Sequence, residues 1–251
     1  MVILNKEKVV QLKNINKTFK VKQTGRNSIR DLFFNLFKKN KNKYQSIEAL
    51  KNISITIHKG ESIGIIGRNG SGKTTLLNII METIKPDSGQ VIFGKGKMLR
   101  LSLGMGIDPN LSARDNIYVN GSLIGLTFKK IGEIFDDILS FAEIEEFVDT
   151  PVKFFSKGMK QRLLFSIAMY VNTEIIILDE FFGGTGDRRF RIKSNKAFEE
   201  KVIQGKTLII VSHNLNIIKR FCSKAIVIED GKIIKTGEPR QMVRFYKKNI
   251  N

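Results

Sequence analysis

The sequence predicts an α/β fold built around a mostly parallel core sheet, with an antiparallel β edge and a helical subdomain. Short apolar runs alternate with helical patterns, and two of them, in IIILDE and TLIIVSH, are apolar at successive positions, as strands covered on both faces must be. Hairpin-like stretches before Gly60 and after Gly231 suggest the antiparallel edge. From 122 to 155 the chain turns mainly helical, with Phe135, Ile138, Leu139 and Phe141 recurring at helix spacing until Pro151 breaks the run.

Taken in order, strands are expected at 9–12, 53–57, 63–66, 91–93, 175–178, 208–211 and 226–228. An insert over about 25–46 separates the first two. Within it Ile29, Leu32, Phe33, Leu36 and Phe37 fall on one face of a possible helix, and KKNKNK follows, so the whole is basic and amphipathic. Such an element either packs its stripe on the domain or touches a membrane or a membrane-bound partner. The helical subdomain is expected over about 108–165, inside a single domain covering 1–251.

Composition narrows the function classes. A lone cysteine, Cys222, excludes an internal disulfide and a cysteine-rich metal site, and two histidines leave little for a histidine cluster. No apolar run reaches the roughly 18 to 20 residues that span a bilayer, and the first eleven residues lack the apolar segment of a signal peptide, so a cytoplasmic protein is expected. The net charge of +19 invites a polyanion, either nucleic acid or the anionic inner face of a membrane. Charge alone does not choose, and the lysines are spread along the chain among many Asn and Ile residues, so part of the excess reads as compositional bias.

The phosphate chemistry is more specific. Gly67, Arg68, Asn69, Gly70, Ser71, Gly72, Lys73 and Thr74 fit GxxxxGK[ST], between the apolar strand SIGIIG and the helix that continues through Thr75. Glycines let backbone amides turn inward around phosphates, and the helix N-terminus adds its positive end. Lys73 should reach the β- and γ-phosphates and Thr74 should hold Mg2+. Downstream, IIILDE is a strand ending in two acids. Set beside the phosphate strand, it brings Asp179 to the metal and lets Glu180 polarise the attacking water. His213 ends a further apolar strand, on the edge where ligands of open α/β sheets bind, and can bond the γ-phosphate or that water.

The run Phe155, Ser156, Lys157, Gly158, Met159, Lys160, Gln161, Arg162 precedes a helix that Ser156 can cap. With it the chain resembles the ABC ATPases, whose signature reads LSGGQ or YSSGM. The resemblance implies the P-loop ABC ATPase fold, ATP and Mg2+ as cofactors, and a dimer in which Ser156 and Gly158 serve the nucleotide bound by a second copy of the chain. It also implies catalytic roles for Glu180, His213 and Lys73, adenine stacking by Phe19, and subunit communication by Asp187. The stretch LGMGIDPNLSARDNI is similar to the branch that exports lipid-linked O-antigen, capsular polysaccharide and teichoic acid, as are GDRRF, VSHN and GKIIKTGEPRQMVRFY. That branch implies an integral-membrane permease partner and a place on the cytoplasmic membrane face, with no nucleic acid. The alternatives are a soluble ABC ATPase acting on nucleic acid, or a subunit serving another cargo. Three departures from the family pattern stand out: no glutamine near 103–107, Lys157 inside the signature, and one extra residue between Glu180 and Asp187.

Overall fold

The computed structural model describes residues 7–22, 44–102, 106–181 and 188–250. Its strands are β1 (Lys8–Lys22), β2 (Tyr44–His58), β3 (Ser62–Ile66), β4 (Ser88–Phe93), β5 (Met98–Ser102), β6 (Ile175–Asp179), β7 (Thr207–Val211), β8 (Lys224–Glu229) and β9 (Lys232–Gly237). The helices are α1 (Lys73–Ile80), α2 (Ala113–Leu123), α3 (Phe128–Glu133), α4 (Phe135–Ala142), α5 (Lys157–Ala168), α6 (Arg188–Lys201), α7 (Leu215–Phe221) and α8 (Pro239–Asn249).

The core sheet runs β5-β6-β7-β3-β8-β9. Its first five strands are parallel and β9 returns antiparallel to β8, which is the expected antiparallel edge. The hairpin material before Gly60 does something else. It joins β4 in a separate three-stranded antiparallel sheet, ordered β2-β1-β4, because the apolar residues of these strands pack on the core rather than extend the sheet.

Strand alternation explains how the core divides. Ile176 and Leu178 of β6, with Leu208 and Ile210 of β7, face a cluster closed by Phe165, Phe190, Phe198, Ile218 and Tyr246 from four helices. Ile175, Ile177, Ile209 and Val211 point the other way, into a cluster with Leu76, Leu77, Ile79 and Ile80 of α1 and the apolar side of the small sheet. Covering both faces is what makes these strands read as unbroken apolar runs.

The helical subdomain has its own cluster, including Ala113, Ile117, Ile131, Ile138, Leu139 and Val152. Helix α5 belongs to both bodies. Leu163 and Ile167 pack into the subdomain, while Phe165 and Ala168 pack beneath the core sheet. Its last residues therefore run beyond the expected limit at 165.

Two further differences concern boundaries. β2 begins at Tyr44, so the end of the expected insert is strand, and β5 was not expected at all. The apolar residues Ile29 to Phe37 and the KKNKNK run lie outside the described residues, as do 103–105 and Asp187.

Candidate functional site

Three neighbouring strands of the core sheet deliver the chemistry at their C-terminal ends. β3 ends at Ile66 and turns through 67–72 into α1, β7 ends at Val211, and β6 ends at Asp179. Their order corrects one expectation: β7 lies between β6 and β3, so the acidic strand is one place removed from the phosphate strand. The cavity they share still gathers the expected groups. It encloses about 490 Å3 and is lined by Asn69, Gly70, Gly72, Lys73, Thr74, Thr75, Asp179, Glu180 and His213, together with Ile47, Glu48, Ala49, Lys51 and Asp230.

The loop itself is built for close approach. Gly72 has φ +105°, and a Cβ there would meet the Ala49 carbonyl oxygen at 2.5 Å. A Cβ on Gly67 would sit 2.3 Å from the Ile228 carbonyl oxygen and 2.5 Å from Ser71 Oγ. Helix α1 follows without a side-chain cap at Gly72 and with no acid in its first turn. Its leading amides and the positive end of its dipole are thus left for an anion. Ser71 Oγ is buried with no hydrogen-bond partner, a second polar group that the fold leaves for a ligand.

Lys73 folds back over the loop, donating to the carbonyl oxygens of Gly67 and Arg68, each at 2.8 Å. Burial pushes its ammonium below the usual lysine range, while the carboxylates of Glu180 and Asp179 act in the opposite direction. An incoming phosphate offers that ammonium a partner of full opposite charge.

Glu180 sits just past the end of β6 with φ +53°, a left-handed conformation unusual for a residue with a Cβ. Neighbouring strand β7 holds it there. The Glu180 amide donates to the Val211 carbonyl at 2.9 Å, and the His213 amide donates to the Glu180 carboxylate at 3.0 and 3.3 Å. His213 Nε2 lies 3.7 Å from the same carboxylate, so acid and histidine form one unit facing the cavity. The Asp179 carboxylate is bonded instead by the guanidinium of Arg100, on β5.

The remaining expected residues lie elsewhere. Ser156 caps α5, its hydroxyl accepting from the Met159 amide at 3.2 Å, and Gly158 sits in that helix's first turn. Neither lines the cavity. Phe19 does not line it either. It stands on β1 opposite Ile47, which does, and the Lys17 ammonium lies 5.5 Å from its ring centre. The β2 residues Ile47, Glu48, Ala49 and Lys51, with Asp230, were missed by the sequence reading. Only the pairing of strands distant in sequence brings them to the loop.

Comparison with known proteins points to one family. A family model described as ABC transporter matches residues 50–183. The chain is 37% identical over 245 residues to an O-antigen export system ATP-binding protein of Myxococcus xanthus, covering 96% of this chain and 56% of that protein. It is 34% identical to the protein of the same name in Klebsiella pneumoniae, covering 96% of this chain and 98% of the relative. A teichoic acids export ATP-binding protein of Bacillus cereus is 36% identical over 95% of this chain and 42% of its own length. The chain thus spans about half the length of the Myxococcus and Bacillus relatives and nearly all of the Klebsiella one. Among solved structures, a dimeric ATP-binding cassette in a post-hydrolysis state with ADP and Pi superposes with a TM-score of 0.68 at 25% identity, covering 92% of this chain and 99% of that one.

Proposed function

The chain belongs to the ABC transporter family, and on that premise we propose that it is the ATP-hydrolysing subunit of an exporter for a lipid-linked polysaccharide or teichoic acid. One observation carries the reading: the phosphate loop, Asp179, Glu180 and His213 line one cavity at three adjacent strand ends. The loop amides, Ser71 and Lys73 would take the phosphates of ATP. Thr74 and Asp179 would hold Mg2+, a hard cation that takes oxygen ligands and, when bound, neutralises phosphate charge. Glu180, fixed by the His213 amide, orients the attacking water and accepts its proton. His213 lies close enough to share that task or to bond the γ-phosphate.

A second copy of the chain completes the site. Ser156 and Gly158 stand at the start of a helix away from their own cavity, which suits a role across an interface to the partner's nucleotide. The names of the relatives support the cargo class, since those proteins serve O-antigen and teichoic acid export. No helix among the described residues is long and apolar enough to cross a membrane. The helical subdomain exposes Leu123, Phe128 and Phe154 at 62%, 70% and 71%, an apolar surface suited to a membrane-embedded partner at the cytoplasmic face. Phe19 is assigned to the adenine side and Asp187 to communication between the two copies.

The test is Glu180→Gln, which keeps shape and hydrogen bonding but removes the base. We expect loss of turnover with retention of ATP. A variant that hydrolyses ATP at the normal rate overturns the assignment.

A further inference from the structure

Arg100 belongs to none of the motifs that mark the phosphate site, yet its guanidinium is the group bonded to the Asp179 carboxylate. Its second amino group donates to Asn78 Oδ1 at 3.0 Å. Asn78 lies on α1, the helix that begins with Lys73. The contact is partly desolvated, with the two side chains 25% and 17% exposed, and Arg100 Nε is buried without a hydrogen-bond partner. A guanidinium that gives one amino group to a carboxylate and is anchored through the other by Asn78 makes a charge-assisted bond stronger than a freely exposed ion pair.

The register makes this placement specific. Across the β5–β6 ladder Arg100 stands opposite Ile177, and Ser102 stands opposite Asp179. The arginine side chain therefore runs forward along the strands to the very carboxylate that opens on the cavity. Lys73, which lines the same cavity, is engaged instead with the carbonyl oxygens of Gly67 and Arg68. A tie meant only to hold β5 to β6 would not need an acid that lines the cavity.

We propose that Arg100 is a built-in counter-cation for the Asp179 carboxylate: it neutralises Asp179 until nucleotide loads and then yields it to Mg2+. The proposal rests on the Mg2+ and ATP reading of the cavity. Its consequence is a metal affinity set below what Thr74 and Asp179 would provide unopposed, because each loading event must break the guanidinium–carboxylate bond. Arg100 does not itself line the cavity and acts through Asp179, so it is a positioning residue.

The experiment is a Mn2+ titration of the full chain with a non-hydrolysable ATP analogue, with free Mn2+ followed by electron paramagnetic resonance. Arg100→Gln should bind Mn2+ about tenfold more tightly than the unaltered chain, the factor expected when one charge-assisted hydrogen bond no longer competes. Arg100→Lys should stay near the unaltered value, and Asn78→Ala, which keeps the charge but removes one anchor, should shift in the same direction by less. Binding of the analogue in EDTA identifies the folded variants. Equal or weaker Mn2+ uptake by folded Arg100→Gln would overturn the counter-cation role and leave the nucleotide reading intact. Absence of any Mn2+ uptake by the unaltered chain with the analogue would overturn both.

Discussion

At Glu180 the left-handed backbone, the bond to Val211 and the amide of His213 all serve to aim one carboxylate. Holding a residue with a Cβ in that conformation costs on the order of 1 kcal/mol, and such outliers collect where geometry matters more than stability. Lys73 shows the same economy, since its two bonds to loop carbonyls are ones a phosphate can replace. Lys73→Ala should therefore weaken ATP binding strongly while leaving the melting temperature near that of the unaltered chain, as measured by equilibrium dialysis and calorimetry. A melting temperature that collapses would make the lysine structural. Cys222 is the opposite kind of residue. Burial pushes its thiol from the ordinary 9.0 up to about 12. Alkylation at pH 8 should thus be roughly a thousandfold slower than in the denatured chain, because only the thiolate reacts. The sign for stability follows: the contribution is intact below the ordinary thiol value and is lost as pH rises toward 12.

The elements differ in how plainly the sequence announced them. β3, β6 and β7 were legible because burial on both faces leaves them mostly apolar, with no polar alternation. β5 was not, since MLRLS carries Arg100 at its centre and lies at the sheet edge, where the pattern weakens. The motifs of the site were legible because each is local: loop, strand end and helix start are single segments. Ile47, Glu48, Ala49, Lys51 and Asp230 were hidden, because only strand pairing brings them to the cavity, and so was Arg100, which register brings to the Asp179 carboxylate. Helix α5 ties the subdomain to the core through Phe165, which lies 5.3 Å from the ring of Phe181 and 5.8 Å from that of Phe198. Phe165 is fully buried, so Phe165→Ala should cost about 3 to 5 kcal/mol in denaturant unfolding. A loss below about 1 kcal/mol would mean that the aromatic stack does not hold the two bodies together. Ser156→Ala, by contrast, should cost about 1 kcal/mol for the lost cap.

For the molecule as a whole, the +19 charge and the exposed apolar residues of the helical subdomain speak to where it works. Retention on anionic vesicles at low salt and release at high salt is expected, since separated surface charges are screened within about 8 Å at physiological ionic strength. Retention that ignores salt would point to the exposed apolar residues alone. The proposed function has this cavity hydrolyse ATP between two copies of the chain, the partner copy supplying Ser156 and Gly158. It is tested most directly by light scattering during size-exclusion chromatography of Glu180→Gln with Mg2+ and ATP, alongside phosphate release. The account predicts a species of twice the single-chain mass that retains ATP and releases no phosphate, and that Ser156→Arg in the same background returns to one chain. A Glu180→Gln protein that stays single while turning over ATP at the normal rate would contradict it.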